Sequence, residues 1–138
     1  MGEGVCFDAR EAPIELHAKT HSILRIGKGC VIEGGSSLES VDSIVLGEGC
    51  HLGPFVKIMD NHQHQTAGNR LERPPSSPIV LGNNVQVGAH SILLPGAQLG
   101  DGVLLEAHTV VSRKIPAGAH LQGNPPRAVK KGPREETP

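Results

Sequence analysis

The apolar residues of this chain fall on a six-residue beat. From residue 81 onward the leads are Leu81, Val87, Leu93, Leu99, Leu105 and Val111. Four places after each lead stands a small or β-branched residue: Val85, Ser91, Ala97, Val103, Thr109 and Ile115. Gly follows the lead at Gly82, Gly88 and Gly100. A helix repeats near every 3.6 residues and a strand every 2, so a sustained period of six is neither. Short strands joined by tight corners do repeat at six, and the pattern predicts a β-solenoid.

The same beat runs upstream in a different frame. Ile14, Thr20, Ile26, Ile32 and Leu38 are six apart, with Ala18, Leu24, Cys30 and Ser36 in the fourth place. A two-residue slip near Ile44 and Val45 precedes Leu46, Leu52 and Ile58, which carry Cys50 and Val56 in the small slot. From about residue 60 to 78 the beat stops, and that length predicts a loop excursion from one corner. Three hexads make a triangular coil of 18 residues. Residues 18 apart then stack, which places Ala89 over Ala107 and His90 over His108. The third place after each lead reads Gly29, Gly35, Gly49, Asn84, His90, Gly96, Gly102 and His108. These residue types favour positive φ, so the slot is predicted to be the left-handed corner residue.

Beyond Val111 the prolines Pro116, Pro125 and Pro126 work against strand pairing, and a cap is expected over about residues 112–131. A cap would also cover the strand edges at the open end. Residues 1–131 then read as a single domain, with 132–138 a flexible tail.

Composition agrees with a narrow bore. The 138 residues include 18 Gly and 11 Pro but only two Phe, no Tyr and no Trp. A solenoid interior fills with Leu, Ile, Val and Ala and has no room for the large rings of a conventional core. The net charge of −1 argues against a nucleic-acid partner. No apolar run approaches the ~20 residues of a spanning helix. Cys30 and Cys50 fall on the small inward slot and are expected to be buried thiols rather than a disulfide or metal site. A cytoplasmic location is expected.

The stretch IVLGNNVQVGAHSILLPGAQLGDGVLLEAHTVVSRKIPAGAHLQGNPPRAVKK resembles the hexapeptide-repeat acyltransferases, in detail the galactoside, maltose and polysaccharide O-acetyltransferase branch. The likeness covers about residues 26–131. It implies an all-β, left-handed parallel β-helix with one long loop excursion and a C-terminal cap. It also implies a homotrimer with active sites between subunits, and transfer of an acetyl group from acetyl-CoA to a sugar or polysaccharide hydroxyl, with no metal required.

The resemblance further assigns site residues. Family members carry an IMDNDFH-like string before a loop, ending in the general base. Here it reads Ile58-Met59-Asp60-Asn61-His62-Gln63-His64. Matched by length, His64 takes the base position, and a register shift of two would give it to His62. A neutral imidazole suits proton removal from a hydroxyl near pH 7. Asp60, Asn61 and Asn84 are candidates for orienting the base or holding the acceptor, with simple turn formation the alternative for the two asparagines. Ala89 and Ala107 match positions whose backbone meets the pantetheine arm of coenzyme A. Arg113, Arg127 and Lys130 match positions near its phosphates, with Lys131 beside them.

Two departures stand out. Gln86 replaces the Trp of the family's NVWIG string, so the acceptor pocket is expected to be wider or more polar. His62 replaces an acidic residue. Three other functions remain open: an amino-sugar N-acetyltransferase, a non-catalytic β-helix assembly module, and a zinc enzyme like the γ-carbonic anhydrases, drawing on His62, His64, His90 and His108.

Overall fold

The computed structural model describes residues 2–10, 12–61 and 76–129. Every regular element among them is a short strand. The first coils hold β1 (Cys6–Asp8), β2 (Glu15–Ala18), β3 (Ile23–Ile26), β4 (Val31–Glu33), β5 (Ser37–Ser40) and β6 (Ser43–Leu46). The middle coils hold β7 (His51–Leu52), β8 (Lys57–Met59), β9 (Ile79–Leu81), β10 (Gln86–Val87) and β11 (Ile92–Leu93). The last coils hold β12 (Gln98–Leu99), β13 (Leu104–Leu105), β14 (Val110–Val111), β15 (Lys114–Ile115), β16 (His120–Gln122) and β17 (Arg127–Ala128).

These strands form the three faces of a prism. Face A runs β1-β4-β7-β10-β13-β16-β17, face B runs β2-β5-β8-β11-β14, and face C runs β3-β6-β9-β12-β15. All pairings are parallel except β16 with β17. The chain is a left-handed parallel β-helix, as its resemblance implies.

The beat supplies the core. Ile32, Leu52, Val87, Leu105 and Leu121 stack inward on face A, and Leu38, Ile58, Leu93 and Val111 on face B. Each is buried, and a fully buried side chain of this kind contributes ~1.5–3 kcal/mol. The small slot fills the corners between faces. Where it is polar, it bridges coils: the Ser91 hydroxyl donates to the Glu106 carbonyl and accepts from the Thr109 N–H, at 3.1 Å each.

Leu81, Val87 and Leu93 pair with Leu99, Leu105 and Val111, 18 residues on, as the counting predicts. Earlier coils are longer. Ile26, Ile32 and Leu38 pair with Leu46, Leu52 and Ile58, 20 residues on, which absorbs the slip near Ile44. The frame placed on Ile14 and Thr20 does not hold. Leu16 is the residue that pairs with Leu38. Thr20 is exposed in a turn where the Ser22 N–H and hydroxyl both donate to the Lys19 carbonyl. The wider turn lengthens the coil and moves the inward position off the beat.

Of the excursion expected over 60–78, residues 62–75 lie outside the described residues. At its two ends Asn61 and Ser76 form an antiparallel bridge on the corner between faces B and C. The coil continues past Val111 through β15 and β16, despite Pro116. Only β17 reverses direction, lying against β16 with Leu121 opposite Ala128.

Candidate functional site

The third-place slot is the left-handed corner throughout. Gly29, Gly35, Gly49, Asn84, His90, Gly96, Gly102 and His108 all have positive φ. Phe55 joins them at 59°, a third-place residue after Leu52 that composition alone did not single out. On the corner between faces A and B the consequence is a ladder of rings. Phe55 stacks on His90 at 5.1 Å and His90 on His108 at 5.2 Å, with planes within 6°. Below Phe55 comes Gly35, where any Cβ would run into the ring.

Beside this ladder, face A carries an open groove of about 380 Å³. Its lining includes Gln86, Ala89 and Ala107, three of the residues singled out from sequence, together with Glu33, His51 and Glu106. Ala89 and Ala107 stack as expected: the Ala89 carbonyl accepts from the His108 N–H at 2.9 Å. Gly88 is needed beneath them, since a Cβ there would lie 2.5 Å from the Ala107 nitrogen. Small residues thus keep the floor of the groove low where two coils meet. A second groove, of about 620 Å³, adjoins it and shares Glu33 and Pro54, with Phe55, His90, Asp8 and Arg10 in its walls. Arg10 donates to both Asp8 oxygens, at 2.9 and 2.8 Å, and this hydrogen bonding holds the Asp8 carboxyl below its ordinary range.

The other sequence candidates stand elsewhere. Asp60 is completely buried on the corner between faces B and C. Its carboxylate accepts from the backbone N–H groups of Val41, Asp42 and Ser43 at 2.8, 2.7 and 2.6 Å. The Asn61 side chain donates to it at 3.1 Å and is only 4 % exposed. Both residues therefore shape the corner from which the excursion leaves. Asn84 sits on the third corner, between faces C and A, with φ of 57° and its N–H bound to the Glu48 carbonyl at 2.7 Å. That is the turn role. Arg113 follows β14, exposed, with its carbonyl accepting from the Gln98 N–H at 3.3 Å. Arg127 is exposed on β17. His62, His64, Lys130 and Lys131 lie outside the described residues.

Sequence reasoning missed two imidazole–carboxylate pairs on face A. His51 Nε2 lies 2.6 Å from Glu33 Oε2, and His120 Nε2 is bonded to Glu106 Oε2. The signal was present: each His directly precedes an inward lead and each Glu directly follows one on the neighbouring coil. Parallel stacking brings such residues together diagonally. Among the described residues no group of three metal-binding side chains occurs, and no helix is long and apolar enough to cross a membrane.

Comparison with known proteins agrees with this architecture. Residues 78–113 match the family model "Bacterial transferase hexapeptide (six repeats)". A 2,3,4,5-tetrahydropyridine-2,6-dicarboxylate N-acetyltransferase of Staphylococcus aureus (strain JH9) is 33 % identical over 60 residues, 44 % of this chain and 25 % of that protein. The chain thus spans a quarter of the curated relatives it matches. A hexapeptide-repeat acetyltransferase from Vibrio cholerae O1 biovar eltor, complexed with acetyl coenzyme A, superposes with a TM-score of 0.79. The match covers 94 % of this chain and 69 % of that one at 20 % identity. A galactoside acetyltransferase in complex with coenzyme A gives 0.74, over 96 % of this chain and 66 % of that one at 23 % identity. Residues 78–113 thus carry hexapeptide repeats, and the whole coil shares its fold with these solved acetyltransferases.

Proposed function

We propose that this chain transfers an acetyl group from acetyl-CoA to a nucleophilic acceptor, in first place a hydroxyl of a sugar or polysaccharide. The observation that carries the reading is the groove on face A. Two stacked alanines and the glycine beneath them keep the floor low enough for an extended arm bearing amides to approach the backbone, and Gln86 stands at the same groove. Solved structures of the same fold hold acetyl coenzyme A and coenzyme A. Arg113, Arg127 and Lys130 would meet the phosphates.

In the reaction the acceptor hydroxyl gives its proton to His64 as its oxygen attacks the thioester carbonyl. The C–O bond forms, the C–S bond breaks, and the thiolate leaves with the proton carried by the imidazole. A backbone N–H near Ala89 would hold the oxyanion. The groove is on face A and the excursion leaves from the corner between faces B and C, so a neighbouring copy supplying the loop makes sense of a trimer. Residues 1–131 would act as one β-helix domain, in the cytoplasm where acetyl-CoA is available. A second acceptor class, an amine, is favoured by the match to an N-acetyltransferase.

Calorimetric titration with acetyl-CoA tests the donor. Micromolar binding at about one site per chain is expected, and no binding at millimolar ligand would sink the reading. With an acceptor in hand, His64→Ala is expected to lower turnover about 100-fold while coenzyme A affinity holds. Unchanged turnover would remove His64 from the base position.

A further inference from the structure

Face A places the two His–Glu pairs on either side of Gln86. In the outward column of this face, His51 lies beside Gln86, Gln86 beside Leu104, and Leu104 beside His120. The two pairs are not equivalent. His51 and Glu33 both line the groove that holds Ala89 and Ala107, whereas of the second pair only Glu106 does. His120 lies on the next coil, outside the groove lining, and its carbonyl accepts from the Val129 N–H at 2.9 Å.

The first pair has the form of a proton acceptor. With the Glu33 carboxylate as acceptor, Nε2 carries a proton and Nδ1 is the nitrogen left to take another. A carboxylate in this position also stabilises the imidazolium once formed. Among the groove-lining residues Glu33 and Glu106 carry formal charge and no Lys or Arg does, so the groove favours a cationic guest. A protonated amine cannot attack a thioester until it loses a proton, and it would lose it beside His51.

We propose that His51, positioned by Glu33, is a proton acceptor of the face A groove and serves an amine-bearing acceptor. This rests on the acetyl-transfer reading and on the arm of acetyl-CoA passing Ala89. The ammonium gives one proton to His51 Nδ1. The freed nitrogen attacks the thioester carbonyl, the C–N bond forms, and the C–S bond breaks. The second nitrogen proton goes to solvent, and the departing thiolate takes the proton from the imidazolium. Glu33 is a positioning residue that does not touch the acceptor.

The test uses the full chain with acetyl-CoA and D-glucosamine as the probe amine, following thiol release alongside coenzyme A affinity by calorimetry. His51→Gln is expected to lower kcat about 100-fold at unchanged coenzyme A affinity. Glu33→Gln is expected to lower kcat about 10-fold with little change in KM for glucosamine, and Glu33→Asp to recover part of the loss. His120→Gln, which breaks the other pair, is expected to leave turnover unchanged. Should His51→Gln not fold, Glu33→Gln decides by the same kcat split. Wild-type kcat in these variants overturns the proposal, as does a wild-type protein that binds coenzyme A but releases no thiol with glucosamine. Failure of the wild type to bind coenzyme A overturns the acetyl-transfer reading itself, and the proposal with it.

Discussion

The prism has two corners that solve the same problem differently. Between faces A and B the chain turns on single left-handed residues, coil after coil, and the turns are held by stacking: Phe55 on His90 on His108, with Ser91 and Thr109 bridging behind them. Between faces B and C the coil widens at residues 40–43, and one buried carboxylate gathers three backbone N–H groups there. The first corner is a repeated local solution in which each residue matters to its neighbours above and below. The second is a one-off in which the Asp60 carboxylate accepts from three successive backbone N–H groups. The groove lies along the repeated corner and the excursion leaves from the singular one.

Removing Asp60 should give the largest effect. Asp60→Ala removes the carboxylate acceptor from the buried Val41 N–H and the partly buried Asp42 and Ser43 N–H groups, and each such loss costs up to ~1–3 kcal/mol. A drop in stability upward of about 3 kcal/mol is expected from urea unfolding. Asp60→Asn keeps one acceptor oxygen and should recover only part of it. A loss below about 1 kcal/mol would mean that water replaces the carboxylate at this corner.

The repeated corner should break more gently. In Gly35→Ala the new methyl meets the Phe55 ring and sits at φ of 81°. Overpacking of this kind costs ~1–3 kcal/mol, and a left-handed alanine adds ~1 kcal/mol. Phe55 is 48 % exposed, so its ring has room to swing outward. The double variant Gly35→Ala with Phe55→Ala should therefore be less destabilised than the sum of the singles. Strict additivity would show that the Phe55 ring swings clear of the new methyl at no cost.

These contrasts explain what the sequence let one read. Ala89 over Ala107 and His90 over His108 follow from counting alone, because a repeat converts sequence distance into spatial contact without any tertiary information. The positive-φ slot is legible for the same reason. Asp60 was not: its partners lie 17 to 19 residues back, in a coil whose length departs from the rule, so it read as a candidate for the chemistry rather than for the corner. The Glu33–His51 pair fell between, since the outward positions carry no apolar beat to draw attention to them. Leu16 in place of Thr20 shows the limit from the other side, where a four-residue turn shifts the register and the beat persists only by coincidence.

The third corner, between faces C and A, allows the mildest test. There the small slot holds Cys30 and Cys50, whose thiols donate to the Gly47 and Gly82 carbonyls at 3.1 Å each. Burial pushes the Cys50 thiol up from 9.0 to about 11, with Cys30 beside it acting in the same direction. A thiol whose pKa is raised by folding holds its proton more tightly in the native state. Its contribution to stability is complete below pH 9 and is lost as the pH rises toward 11. A Cys50→Ala variant lacks that titration, so the stability gap between it and the wild type should narrow between pH 9 and 11. At neutral pH the exposed Cys6 should react with a thiol reagent and the other two should not until the coil opens. A parallel pair of pH curves would show that the Cys50 thiolate is tolerated inside the bore. The stacked corners would then owe their stability to shape alone, and the dependence on charge would be peculiar to Asp60.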